Sequence, residues 1–164
     1  MTVAPSAERQ LAHFIALYTP EIQRLAKEAV ARLRTSLPGA NRLVYDNHNA
    51  LVIGFGPTER ATDAILSLVL YPRWVTLCFP QGTGLPDPGG LLRGSGKVVR
   101  HIVLASAHDF DRPPVRALVR AAVADSEVRF DKRAAGRLII KSVSSAARPR
   151  RPMKAGGLKG SRPS

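Results

Sequence analysis

The chain has 164 residues, 45% apolar and only 5% aromatic, which suits one domain with a packed core. Lys and Arg outnumber Asp and Glu by 25 to 12, a formal charge of +13 that argues against an acidic calcium or iron buffer and favours anionic partners. One cysteine, Cys78, excludes an internal disulfide framework and a cysteine-based structural zinc site. No apolar run approaches the roughly 18 residues of a membrane span, and no basic region followed by an apolar stretch opens the chain, so a cytoplasmic location is expected.

Ser6 can cap a short helix running to about Tyr18. Thr19-Pro20-Glu21 then reads as cap, first-turn proline and N-terminal acid. The helix they open has Ile22, Leu25, Ala26, Ala29 and Leu33 on one face, and Leu37-Pro38-Gly39 stops it. Asn41–Tyr45 and Ala50–Phe55 are strand-like runs around the hairpin-type turn Asp46-Asn47-His48-Asn49. Ala64–Leu70 and Trp74–Phe79 form a second pair around Tyr71-Pro72-Arg73, and Lys97–Leu104 a fifth strand. Short turns make such strands antiparallel neighbours, so a meander is expected. Pro113 and Pro114 open a third helix with Val115, Leu118, Val119 and Ala122 inward, and Asp109 and Asp111 are expected to cap it. Leu138–Val143 reads as a late edge strand.

Alternation assigns Val75, Leu77 and Phe79 to the helix side and Trp74, Thr76 and Cys78 to the other. In the fifth run Lys97, Val99, His101 and Val103 share one face, while Val98, Arg100, Ile102 and Leu104 share the other. A sheet shielded on one side leaves a second face of mixed character, as antiparallel sheets tolerate. The fold class is therefore α+β: a five- to six-stranded, mainly antiparallel sheet with N-terminal helices and one later helix packed on one face. The domain is expected to span residues 1–143. Residues 144–164 carry six basic residues, no acid, three prolines and three glycines, leaving a net +7 on residues 1–143. Such a segment cannot offset an ordering entropy of roughly 1–2 kcal/mol per residue and is expected to be a disordered basic tail. It can track polyanions or simply solubilise the chain.

The stretch Gly82–Lys97, GTGLPDPGGLLRGSGK, is the most irregular of the domain. Gly94-Ser95-Gly96-Lys97 offers consecutive backbone N–H groups beside a lysine, the chemistry of an anion cradle. It is not a nucleotide P-loop: Leu91 stands where that motif needs glycine, Val98 where it needs Ser or Thr, and a strand follows rather than a helix. Arg112, Arg116 and Arg120 recur every four residues on the third helix and can track phosphates, although solvated helix faces look the same. Gly54-Phe55-Gly56 is a fragment of the RNA-recognition sheet motif that lacks its leading basic residue and second aromatic. His13, His48, His101 and His108 show no metal spacing, and no carboxylate pair is placed for acid–base work. Cys78 and His101 lack a third orienting group, and a cysteine in an apolar strand is an inert small hydrophobe.

LVYDNHNALVIGFGPTER (43–60), YPRWVTLCF (71–79), GLPDPGGLLRGSGKVVRHI (84–102) and RLIIKSVSSAARPRRP (137–152) together resemble the YdhG-like bacterial family, a domain of unknown function. The resemblance covers about residues 10–152 and implies a small α+β domain with an antiparallel sheet flanked by helices. Some members are likened to frataxins, which implies iron handling. Iron prefers oxygen ligands, and the first two helices offer only Glu8, Glu21 and Glu28 among Arg9, Arg24, Lys27, Arg32 and Arg34. The resemblance supplies no catalytic residues, and no cofactor is implied.

The residues point to a non-enzymatic binding or adaptor module for a small anionic ligand or acidic partner. Arg93, Ser95, Gly96, Lys97, Arg100 and His101 would supply charge and donors, and Trp74 an apolar platform. The alternative is nucleic-acid association through Arg112, Arg116, Arg120, Arg148, Arg150 and Arg151.

Overall fold

The computed structural model describes residues 4–152. Helix α1 (Ala7–Ala16) starts where Ser6 Oγ accepts from the Arg9 N–H at 3.2 Å. Helix α2 (Pro20–Ser36) starts where Thr19 Oγ1 accepts from the Ile22 N–H at 3.4 Å, with Pro20 in its first turn. Caps of this kind stabilise a helix start by about 1 kcal/mol. α1 buries Leu11, Phe14 and Ile15; α2 buries Ile22, Ala26, Ala29 and Leu33, with Leu25 at the margin.

Six strands follow: β1 (Asn41–Asp46), β2 (Leu51–Gly56), β3 (Leu66–Leu70), β4 (Val75–Phe79), β5 (Arg100–Leu104) and β6 (Leu138–Val143), with helix α3 (Pro113–Ala124) between the last two. The order across the sheet is β5-β4-β3-β2-β1-β6. The first five strands form the antiparallel meander that short turns dictate, and β6 adds to β1 in parallel. A register shift between Val44 and Tyr45 accommodates β6. The long return from α3 makes the parallel pairing possible, and it is fixed where the Arg42 N–H donates to Arg137 O and the Arg137 N–H to Asn41 Oδ1.

The helix-side face carries Ile53, Phe55, Leu66, Leu68, Leu70, Val75, Leu77 and Phe79, all fully buried, and Ile102 and Leu104 continue it onto β5. Full burial of such side chains contributes about 1.5–3 kcal/mol each. Val115, Leu118, Val119 and Ala122 of α3 join the same core. On the opposite face Tyr45, Val52, Ser67, Val69, Cys78 and His101 are half-buried and Val103 is exposed, so this side of the sheet stays partly open. Phe55 points into the core, which removes the stacking aromatic that the Gly54-Phe55-Gly56 fragment would need.

Three expectations are corrected. The fifth strand begins at Arg100, not Lys97: Gly94 sits at φ +123°, the chain turns back on itself, and Val98 and Val99 are both exposed rather than alternating. Asp109 does cap, but it caps a 3-10 turn (Ala107–Asp111) through a capping box with Ser106, while Asp111 pairs with Arg32; α3 has no side-chain cap. The first part of the tail belongs to the domain. Residues 144–152 run as a strap along the β1–β2 turn, the Ser144 N–H donating to Asp46 O at 2.7 Å and the Arg148 N–H to His48 O at 2.8 Å. Residues 153–164 lie outside the described residues.

The strap is anchored by Arg150, only 5% exposed, whose Nη2 donates to Asp46 Oδ1 at 2.9 Å, with Asp46 itself 7% exposed. The guanidinium also donates to Asn47 O, and it stands 5.9 Å from the centroid of the Tyr18 ring. Tyr18 in turn ties α1 to the sheet: its hydroxyl donates to Leu70 O at 2.9 Å and accepts from the Leu51 N–H at 3.2 Å. Burial, partly offset by Arg150, pushes the Tyr18 phenol up to about 12.

Candidate anion site at the glycine-rich corner

At the end of the sheet opposite the strap, the chain leaves β4, crosses the Gly82–Gly84 turn and returns to β5. Gly82 is needed there because a Cβ at that position would lie 2.4 Å from the Arg100 Cβ. Asp87, the single acid between Gly82 and Lys97, is already engaged: Oδ1 accepts from the Leu91 N–H and Oδ2 from the Leu92 N–H, both at 2.9 Å. Arg93 then pairs with His101 as an extra rung beyond β5, N–H to O in both directions at 2.8 and 2.9 Å. Residues 94–100 are the loop that this rung closes.

Inside that loop Arg100 Nη1 donates to Val99 O at 2.7 Å and to Gly96 O, which folds the loop over its own arginine. The backbone N–H groups of Gly94, Ser95, Gly96 and Lys97 donate to no protein acceptor among the described residues. Arg93, Ser95, Gly96 and Lys97 are exposed, Arg100 and His101 half-buried. None of the three cations Arg93, Lys97 and Arg100 forms an ion pair among the described residues. Consecutive free N–H groups with uncompensated positive charge beside them are an anion-binding arrangement.

Trp74 is not part of it. It precedes β4 at the strap end of the sheet, four residues from Cys78, which pairs with His101; at about 3.3 Å per residue that is a separation of roughly 13 Å. Its ring packs on Tyr71 at 5.3 Å between centroids. It lines a different cavity, with Pro72, Arg73 and Ala105. Trp74 stands just before β4 and the glycine-rich loop follows Phe79, so the two lie at opposite ends of that strand. Cys78 and His101 are direct cross-strand partners on the open face, and burial pushes the Cys78 thiol up, with the Ser67 side chain offsetting only part of this, which favours the protonated thiol.

The residues singled out for nucleic acid divide. Arg112, Arg116 and Arg120 are exposed and make no ion pair among the described residues. Arg148 is exposed, Arg151 donates from Nε to Leu17 O at 3.2 Å, and Arg150 is buried in its ion pair and unable to reach a phosphate. Arg150 is the residue that compositional reasoning misread. The signal lay in Asp46, an acid on the helix-side face of β1, which demands a buried cation. No group of three or more His, Cys, Asp or Glu side chains gathers for a metal ion among the described residues, and no helix among them is long and apolar enough to cross a membrane.

Compared with known proteins, the chain matches no family model, no curated protein and no solved structure.

Proposed function

We propose that this chain is a non-enzymatic, cytoplasmic binding domain for a small anionic ligand, held at the glycine-rich corner. The observation that carries the reading is the loop itself: four successive free N–H groups at Gly94–Lys97 beside Arg93, Lys97 and Arg100, with the nearest loop acid, Asp87, spent on Leu91 and Leu92. Backbone donors fix the position of an anion, and the side chains supply the attraction. The loop belongs to one of the four stretches that resemble the YdhG-like family, and membership of that family is part of the proposal.

Calorimetric titration with pyrophosphate tests it. Lys97→Ala, at an exposed side chain, is expected to weaken binding more than tenfold, about 1.4 kcal/mol. Arg100→Ala is expected to do more, because it also opens the loop that Arg100 closes. An unchanged affinity in Lys97→Ala removes the site.

The exposed, unpaired row Arg112, Arg116 and Arg120 favours a second reading, nucleic-acid association. Each phosphate neutralised contributes about −0.9 to the slope of log K against log salt. Replacing the three arginines by glutamine is expected to flatten that slope in a gel shift across salt concentrations; salt-insensitive binding, or none, ends this reading.

A further inference from the structure

The richest unassigned feature is a cleft between the C-terminal end of α2, the outer side of α3 and the loop after it, with a volume of about 500 Å3. That falls within the range of about 300–1,000 Å3 typical of small-molecule sites. Its floor is apolar: Phe110 and Val119 are buried, and Phe130 is half-buried. Its rim carries three exposed cations, Arg116, Arg120 and Lys132, and no acid lines it. Two acids adjoin lining residues in sequence without lining the cleft themselves: Asp111 is paired with Arg32, while Asp131 accepts from the Arg133 N–H at 3.0 Å and keeps its charge. The end of α2 brings about half a negative charge through its free carbonyls. Three full positive charges, on Arg116, Arg120 and Lys132, exceed this half charge and the single charge of Asp131 together, so the rim is net positive.

We propose that this cleft binds an organic acid with an apolar body, its carboxylate held by Arg116 and Arg120 and its apolar part laid on Phe110, Val119 and Phe130. The pairing of features is what selects the ligand. Cations alone would suit any phosphate, and an apolar cleft alone any hydrophobe; together they discriminate against ligands that offer only one of the two. Arginine is suited to the head group because its planar fork meets both carboxylate oxygens. This site is separate from the glycine-rich corner and does not rest on the function proposed there.

Titration calorimetry with octanoate, hexanoate, octanol and acetate separates the contributions. Octanoate is expected to saturate one site and to bind about tenfold tighter than hexanoate, the difference of two buried methylenes. Octanol and acetate are expected to bind at least tenfold more weakly than octanoate. The double variant Arg116→Gln/Arg120→Gln, confined to exposed side chains, is expected to lose at least tenfold in octanoate affinity, and Lys97→Ala to lose nothing. Octanol binding as tightly as octanoate would show that the cations are unused and overturn the proposal. So would acetate matching octanoate, full affinity in the double variant, or loss of octanoate binding in Lys97→Ala. Preferential capture of an oligonucleotide by Arg116 and Arg120, with octanoate failing to compete, would overturn it in favour of nucleic acid.

Discussion

The two ends of the sheet use arginine in opposite ways. At the β1–β2 end Arg150 is buried, ion-paired to Asp46 and stacked near Tyr18; at the β4–β5 end Arg93, Lys97 and Arg100 surround a loop with free backbone donors and no acid partner. Both ends are basic, and only at the first does an acid of the fold neutralise a buried arginine. A cation paired with an acid on a buried face is part of the architecture, and the unpaired cations beside free backbone donors are where the proposed anion would sit. Removing a cation should therefore cost stability at the first end and affinity at the second.

The largest effect is expected at the closed end. Arg150→Ala leaves Asp46 buried and unpaired and is expected to destabilise the domain by about 3–5 kcal/mol in urea denaturation. Arg148→Ala, two residues away and exposed, is expected to change stability by less than about 0.5 kcal/mol. Equal effects of the two would break the comparison. Asp46→Leu combined with Arg150→Met is expected to recover most of the loss, since a buried pair is replaced by apolar packing.

Tyr18 sharpens the same contrast through pH. Its phenol, ordinarily at 10, is raised to about 12 by burial, so the fold favours the neutral form. That contribution is fully present below pH 10 and is lost as pH climbs from about 10 through about 12. Tyr18→Phe should show a shallower decline over that window, seen in melting curves at stepped pH. An effect smaller than that of Arg150 is expected at the helix start: Ser6→Ala should cost about 0.5–2 kcal/mol in urea denaturation, through the lost bond to the Arg9 N–H.

Much of this architecture is written in local patterns. Period-two alternation in Val75, Leu77 and Phe79, helical spacing in Ile22, Ala26, Ala29 and Leu33, and the caps Ser6 and Thr19 all act over a few residues, and they correctly predict the elements and their faces. The misreadings come from contacts that periodicity and composition do not encode, some of them across long sequence separation. Arg150 lies 104 residues from Asp46, and composition around it speaks only of a tail. Lys97–Val99 looks extended until the Arg93–His101 rung forces the chain to turn at Gly94. The parallel addition of β6 to β1 depends on a return path that no local spacing encodes. The candidate site was legible as a glycine-rich basic loop, because its donors are contiguous in the chain; the exclusion of Trp74 was legible too, since Trp74 opens the strand and the loop follows its far end.

The most direct test follows the backbone amides of 15N-labelled protein through a pyrophosphate titration. Saturable shifts concentrated at Gly94, Ser95, Gly96 and Lys97, and weakened at least tenfold in Lys97→Ala, are the predicted result. Shifts that grow linearly without saturating, or that spread evenly over the exposed arginines while the four loop amides stay still, would contradict it.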